Sequence, residues 1–131
     1  MAPTHAQLRA LIDAFYERVR ADSRLGPIFA AHVADWDEHS ERLTDFWSSL
    51  MLGSGRYKGN PFGMHKPFAG DLDEALFERW LELWATTTAE QFPADLAAEF
   101  QRKARRVAES LMAGLLFDPT RPPSSARPVS A

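Results

Sequence analysis

The 131-residue sequence contains no cysteine. That excludes disulfides, thiolate zinc centres, cysteine nucleophiles and thioether attachment of a c-type haem, so any metal must be held by His, carboxylate, Met or Tyr. Positive charge is not in excess either: 15 Lys and Arg stand against 18 Asp and Glu, a net charge of −3, and no basic footprint for nucleic acid is visible. No apolar run approaches the roughly 18 residues of a membrane span. The opening stretch MAPTHAQLRA lacks a charged n-region followed by an apolar core, so a cytoplasmic protein with no membrane partner is expected. HExxH, P-loop, GxGxxG and GxSxG patterns are all missing, and the GSG at 53–55 reads only as a helix stop. Conventional hydrolytic sites therefore have no support.

What is present points to one helical domain. A chain of this length with 45% hydrophobic and 25% charged residues can bury roughly two thirds of its unfolded surface. Leu8, Leu11, Ile12, Phe15, Tyr16 and Val19 recur at helical spacing after Thr4, which makes a capping box with Gln7, and this predicts a helix to about Asp22. Pro27 in LGPIFAAHV suits a first helical turn, so a short helix is expected over 27–33. Asp35 and Glu38 cap a third helix carrying Trp36, His39, Leu43, Phe46, Trp47, Leu50 and Met51 on one face, stopped by Gly53 and Gly55. Asp71 with Glu74 offers the next cap, before a stripe of Leu72, Leu76, Phe77, Trp80, Leu83, Trp84 and Thr87. FPADLAAEF opens a last helix with Leu96, Phe100, Ala104, Val107, Leu111 and Leu115 inward. No segment alternates with period two, and the fold class is all-α. Residues 118–131, DPTRPPSSARPVSA, are Pro-, Ser- and Arg-rich and are expected to be a disordered tail on a domain of residues 1–117.

Among the four histidines, His5 and His32 read as surface residues near helix ends. His39 lies inside the apolar stripe of the third helix, the position of a core histidine satisfied by a backbone carbonyl or of a group facing a ligand. Tyr16 faces inward, where packing is the commoner role although its phenol needs a partner. The four tryptophans at helical spacing read first as core. His65 differs. It sits in NPFGMHKPF, residues 60–68, where glycines and prolines break any helix and display the imidazole from a turn. Such a loop is either punctuation or the mounting for a metal ligand.

The ordered series Phe15-Tyr16-Glu17, Leu25-Gly26-Pro27-Ile28-Phe29, Trp36 with His39, Phe46-Trp47, Tyr57-Lys58-Gly59-Asn60-Pro61 with His65, then Phe77 and Trp80-Leu81 closely resembles the group III truncated haemoglobins over residues 8–112. The resemblance implies a globin-like two-over-two helical sandwich around a non-covalent haem b. It implies His65 as the proximal ligand of the iron, with the Gly/Pro-rich stretch before it as a shortened connection, and Tyr16, His39 and Trp80 around the distal ligand, His39 as a gate or a second possible iron ligand. It also implies Leu43 in the pocket, Phe29 against the porphyrin and Phe15 shaping the distal wall. Tyr57, Arg56, Lys58 and Lys66 are candidates for the haem propionates, although long basic side chains are more often simply solvated.

Three functions follow from the resemblance. One is O₂ storage, sensing or delivery. A second is redox turnover, as dioxygenation of NO or a peroxidase-like oxidation, with O₂, NO, CO or peroxide as the small ligands. A phenol and an indole aimed at O₂ suit that second role better, because tight holding makes a poor carrier. No reductase domain is present, so turnover needs an unidentified external reductase. The third is a helical interaction module without haem, against which the joint presence of His65, Tyr16 and Trp80 argues.

Overall fold

The computed structural model describes residues 2–57, 59 and 72–115, the side chain of residue 115 excepted. Among these, five helices and no strand are found: α1 (His5–Ala21), α2 (Leu25–His32), α3 (Trp36–Leu52), α4 (Glu74–Gln91) and α5 (Ala94–Leu115). His65, Lys66 and the 118–131 tail lie outside the described residues, as do Lys58, Asn60, Pro61 and Asp71.

The caps explain where the helices begin. Thr4 and Gln7 form the reciprocal capping box at α1, and the Asp35 side chain accepts from the Glu38 N–H at α3. Gly53 ends α3 at φ 66°, a left-handed conformation that glycine adopts without the Cβ penalty. Two boundaries differ from the sequence pattern. The short helix starts at Leu25 rather than Pro27, because the Asp22 carboxylate accepts the free N–H groups of Arg24 and Leu25. Likewise Asp73 caps α4 by accepting from Leu76 N–H, which leaves Leu72 just ahead of the helix.

α1 is the central strut, packing on α2, α3 and α4, while α4 and α5 pair extensively. Its Leu8, Leu11, Ile12, Phe15 and Val19 are fully buried, each removing apolar area worth about 1.5–3 kcal/mol before entropy is charged. Opposite them α5 presents Ala97, Phe100, Ala104, Ala108 and Leu111, with Leu96 and Val107 only partly buried. The small residues let α5 approach closely. Buried polar groups are satisfied locally: the hydroxyls of Thr44, Thr87 and Thr88 return to carbonyls four residues earlier. Trp84 Nε1 donates to the Phe100 carbonyl at 3.1 Å and so stitches α4 to α5. The α1–α2 corner is tight: a Cβ on Gly26 would lie 2.5 Å from the Arg20 carbonyl oxygen. From the far side Arg79 closes that corner, its Nε donating to Asp22 at 2.7 Å and tying α4 to the base of α2.

Candidate functional site

Between α2 and α3 on one side and α4 and α5 on the other lies a cavity of about 200 Å³, partly open to solvent. Apolar side chains make most of its wall. Ile28, Phe29, Leu43 and Phe46 come from α2 and α3, and Leu76, Phe77, Val107 and Leu111 from α4 and α5. Three groups able to hydrogen-bond, Tyr16, His39 and Trp80, join them from three different helices.

Tyr16 is 5% exposed. Its ring meets His39 edge-on with centroids 5.2 Å apart, and Phe29 at 5.5 Å. Burial pushes the phenol well above a tyrosine's ordinary pKa, opposed by the nearby Trp80 indole. At physiological pH Tyr16 is therefore neutral and keeps its O–H to donate. Aromatic contacts on several sides fix the ring's direction, since Trp36 lies 5.8 Å away and Phe15 4.7 Å. Trp36 is in turn covered by the Arg20 guanidinium, 4.5 Å from its ring centroid.

The mouth is more polar. Arg42 and Tyr57 both line it, together with His32. Burial raises the Tyr57 phenol, while the positive charge of Arg42 pulls it the other way. Arg42 also faces Glu38 at 3.7 Å. The backbone N–H of Tyr57 donates to Ser49 Oγ at 3.0 Å, and its ring packs edge-on against Phe46, which pins the chain beyond α3 against the cavity.

Of the residues singled out from sequence, the structure brings Tyr16, Phe29, His39, Leu43, Tyr57 and Trp80 to one cavity. Phe15 is a correction in part. It is fully buried behind the wall, edge-on to Tyr16 and Trp80, and is not among the cavity-lining residues. Phe15 packs instead behind Tyr16, against Trp80 and Trp84. Arg56 is exposed and does not line the cavity. Arg42 and His32 were missed. Arg42 follows His39 by three residues and so shares its face, a signal the sequence carried; His32 at the end of α2 carried none. The tryptophans divide, for Trp84 is core whereas Trp47 and Trp80 also reach the cavity. Elsewhere, His5, Glu41 and Asp45 could together ligate a metal. The Arg9 guanidinium already occupies Glu41, along with Asp13 and Asp37, and this cluster is a bridge between α1 and α3.

Tyr57 and Leu72 both line the wall; His65 lies between them in the sequence, outside the described residues. The cavity thus offers largely apolar walls, the hydrogen-bonding groups of Tyr16, His39 and Trp80, and a guanidinium and a phenol from Arg42 and Tyr57.

The bacterial-like globin family model matches residues 3–111. A group 3 truncated haemoglobin of Campylobacter jejuni is 38% identical over 81 residues, a match covering 56% of this chain and 61% of that protein's length. The crystal structure of a group III truncated haemoglobin from Campylobacter jejuni superposes with a TM-score of 0.76 at 29% identity, over 87% of this chain and 92% of that one. The described helices thus form a truncated-globin fold. No described helix is long and apolar enough to cross a membrane.

Proposed function

The chain belongs to the bacterial-like globin family, and on that premise we propose that its cavity holds a non-covalent haem b whose iron is ligated by His65. Membership of the globins implies the haem itself. The assignment of His65 is supported by the wall: the residues on both sides of its segment line the cavity, and of the other histidines only His32 and His39 touch it. Bound there, haem would supply an iron able to take up a diatomic ligand.

The chain's own part is to shape that open side. Tyr16 offers a phenol O–H and Trp80 an indole N–H inside a space walled by Phe29, Leu43 and Phe77. Hydrogen bonds to a ligand that gains negative charge are charge-assisted and stronger than neutral ones. His39 stands edge-on to Tyr16 and Trp36, positioned to admit or hold the ligand. At the mouth Arg42 and Tyr57 suit the propionates, the guanidinium matching a carboxylate with paired N–H groups. Lys66 is a further candidate for the same role.

Two donors, the buried Tyr16 and the partly buried Trp80, on a mostly apolar cavity carry the functional reading. We infer redox turnover, either dioxygenation of NO by bound O₂ or an oxidation driven by peroxide, fed by an external reductase, in preference to O₂ delivery, because such a pocket retains O₂ rather than releasing it. The test is stopped-flow mixing of the oxygenated protein with NO. Nitrate formed in equal amount, faster than O₂ dissociates, is the expected result. Rapid O₂ release with no nitrate would return the protein to storage, sensing or transport.

A further inference from the structure

A second, larger concavity of about 440 Å³ lies on the outer face of the α4–α5 pair. Its lining mixes Leu81, Ala85 and Ala98 with Gln101, and carries Arg102, Arg105 and Arg106 against the single carboxylate of Glu109. Arg105 faces Glu78 at 3.7 Å. Arg102 and Arg106 have no ion-pair partner among the described residues and project to solvent. Exposed guanidiniums beside the apolar contacts of Leu81 and Ala85 suit a ligand that pairs a phosphate or carboxylate with an apolar surface, since the fork of N–H groups matches those anions.

What sets this groove apart is its floor. Trp84 lines it, and the same indole stacks on Trp47 at 4.5 Å and lies parallel to Trp80 at 6.1 Å. Trp47 and Trp80 line the central cavity. Three near-parallel indoles thus lie between the two concavities, the middle one held by the Trp84 hydrogen bond to the Phe100 carbonyl. Packing alone does not require the middle indole of such a stack to floor a basic groove.

We propose that the α4–α5 groove binds an anionic planar electron donor of the reduced flavin mononucleotide class, and that Trp84, with Trp47 and Trp80, forms the path by which its electron reaches the haem cavity. The redox half of this rests on the haem reading above; the binding half does not. The neutral reduced flavin loses one electron and one proton, the proton passes to bulk water, and the electron reduces ferric haem iron to ferrous. No bond to the protein forms or breaks. The phosphate lies on the arginines and the ring against the apolar wall.

The test uses flavin mononucleotide and lumiflavin, its analogue without the phosphate, titrated into the full chain with and without haem and followed by flavin fluorescence anisotropy. Flavin mononucleotide should bind more tightly than lumiflavin and should weaken as salt is raised. The double variant Arg102→Glu/Arg106→Glu should weaken it by about tenfold or more and remove the preference over lumiflavin. Both side chains are exposed, so the fold and the haem spectrum should be untouched. Equal binding of the two flavins, or an unchanged affinity in the double variant, overturns the site. For the electron path, haem-loaded Trp84→Phe is compared with the parent at equal occupancy of photoreduced flavin mononucleotide, and reduction of the ferric haem should be several-fold slower. An unchanged rate overturns the path. Failure of the chain to take up haem would appear in the visible spectrum and would count against the proposed function, while flavin binding would still be read on the haem-free chain.

Discussion

Replacing Tyr16 by Phe keeps the ring, its edge-on contacts with His39 and Phe29 and nearly all of the buried area, and deletes one donor. In the protein without ligand, deleting the phenol O–H removes at most one neutral hydrogen bond, worth about 0.5–1.5 kcal/mol. With O₂ held in the cavity the acceptor is effectively anionic, and the bond is worth about 1.5–3 kcal/mol. At about 1.4 kcal/mol per factor of ten, the O₂ dissociation rate should rise by between about tenfold and a little over a hundredfold. Displacement of O₂ by excess CO in a stopped-flow spectrometer reads that rate directly. An unchanged rate in a folded, haem-loaded variant would refute the reasoning and would leave the stabilisation with Trp80 or His39. The same substitution has a second signature. Because the folded phenol stays protonated above the ordinary tyrosine value, the folded state binds more protons than the unfolded chain once pH exceeds about 10. Stability should therefore fall as pH climbs past that value, and Tyr16→Phe should flatten the fall, with Tyr57 accounting for what remains.

Gly26→Ala should destabilise the protein by about 1–3 kcal/mol, because its Cβ would meet the Arg20 carbonyl at 2.5 Å and the α1–α2 corner cannot yield cheaply; urea unfolding measures this, and an unchanged midpoint would mean the corner is not rigid. The Asp22 carboxylate is held below its ordinary pKa by the Leu25 N–H first, then by Arg79. Its contribution is present above the unfolded aspartate value and is lost as pH falls through the lower folded value. Asp22→Asn should accordingly lower stability at neutral pH and flatten the acid limb of the stability profile, and parallel limbs for variant and parent would contradict the assignment.

Much of this architecture was legible in the sequence because the signals were local. The Thr4–Gln7 box, the Asp35 cap and the apolar stripes of α1 and α3 require only near neighbours, and the structure bears them out. The start of α2 was misplaced because Asp22 acts as a cap across a turn, and the start of α4 because two aspartates competed for one role. At the site, Tyr16, His39 and Trp80 stood out as polar groups on apolar faces. Arg42 escaped notice because a basic residue on a helix reads as solvated until the cavity beside it is known. The tryptophan stack joining two concavities depends on the packing of α3 against α4, which no local pattern encodes. His65 was conspicuous for its breaker-rich surroundings, and its assignment rests on the family and on the cavity-lining residues flanking its segment.

The most direct test of the account is the visible spectrum of the haem-loaded protein, ferric, ferrous and under CO, measured beside His65→Ala with and without added imidazole. The account predicts a Soret band that shifts sharply with CO in the parent, loss of stable haem in the variant, and partial restoration by imidazole. A variant that retains haem with the parent's affinity and the parent's CO spectrum would contradict it.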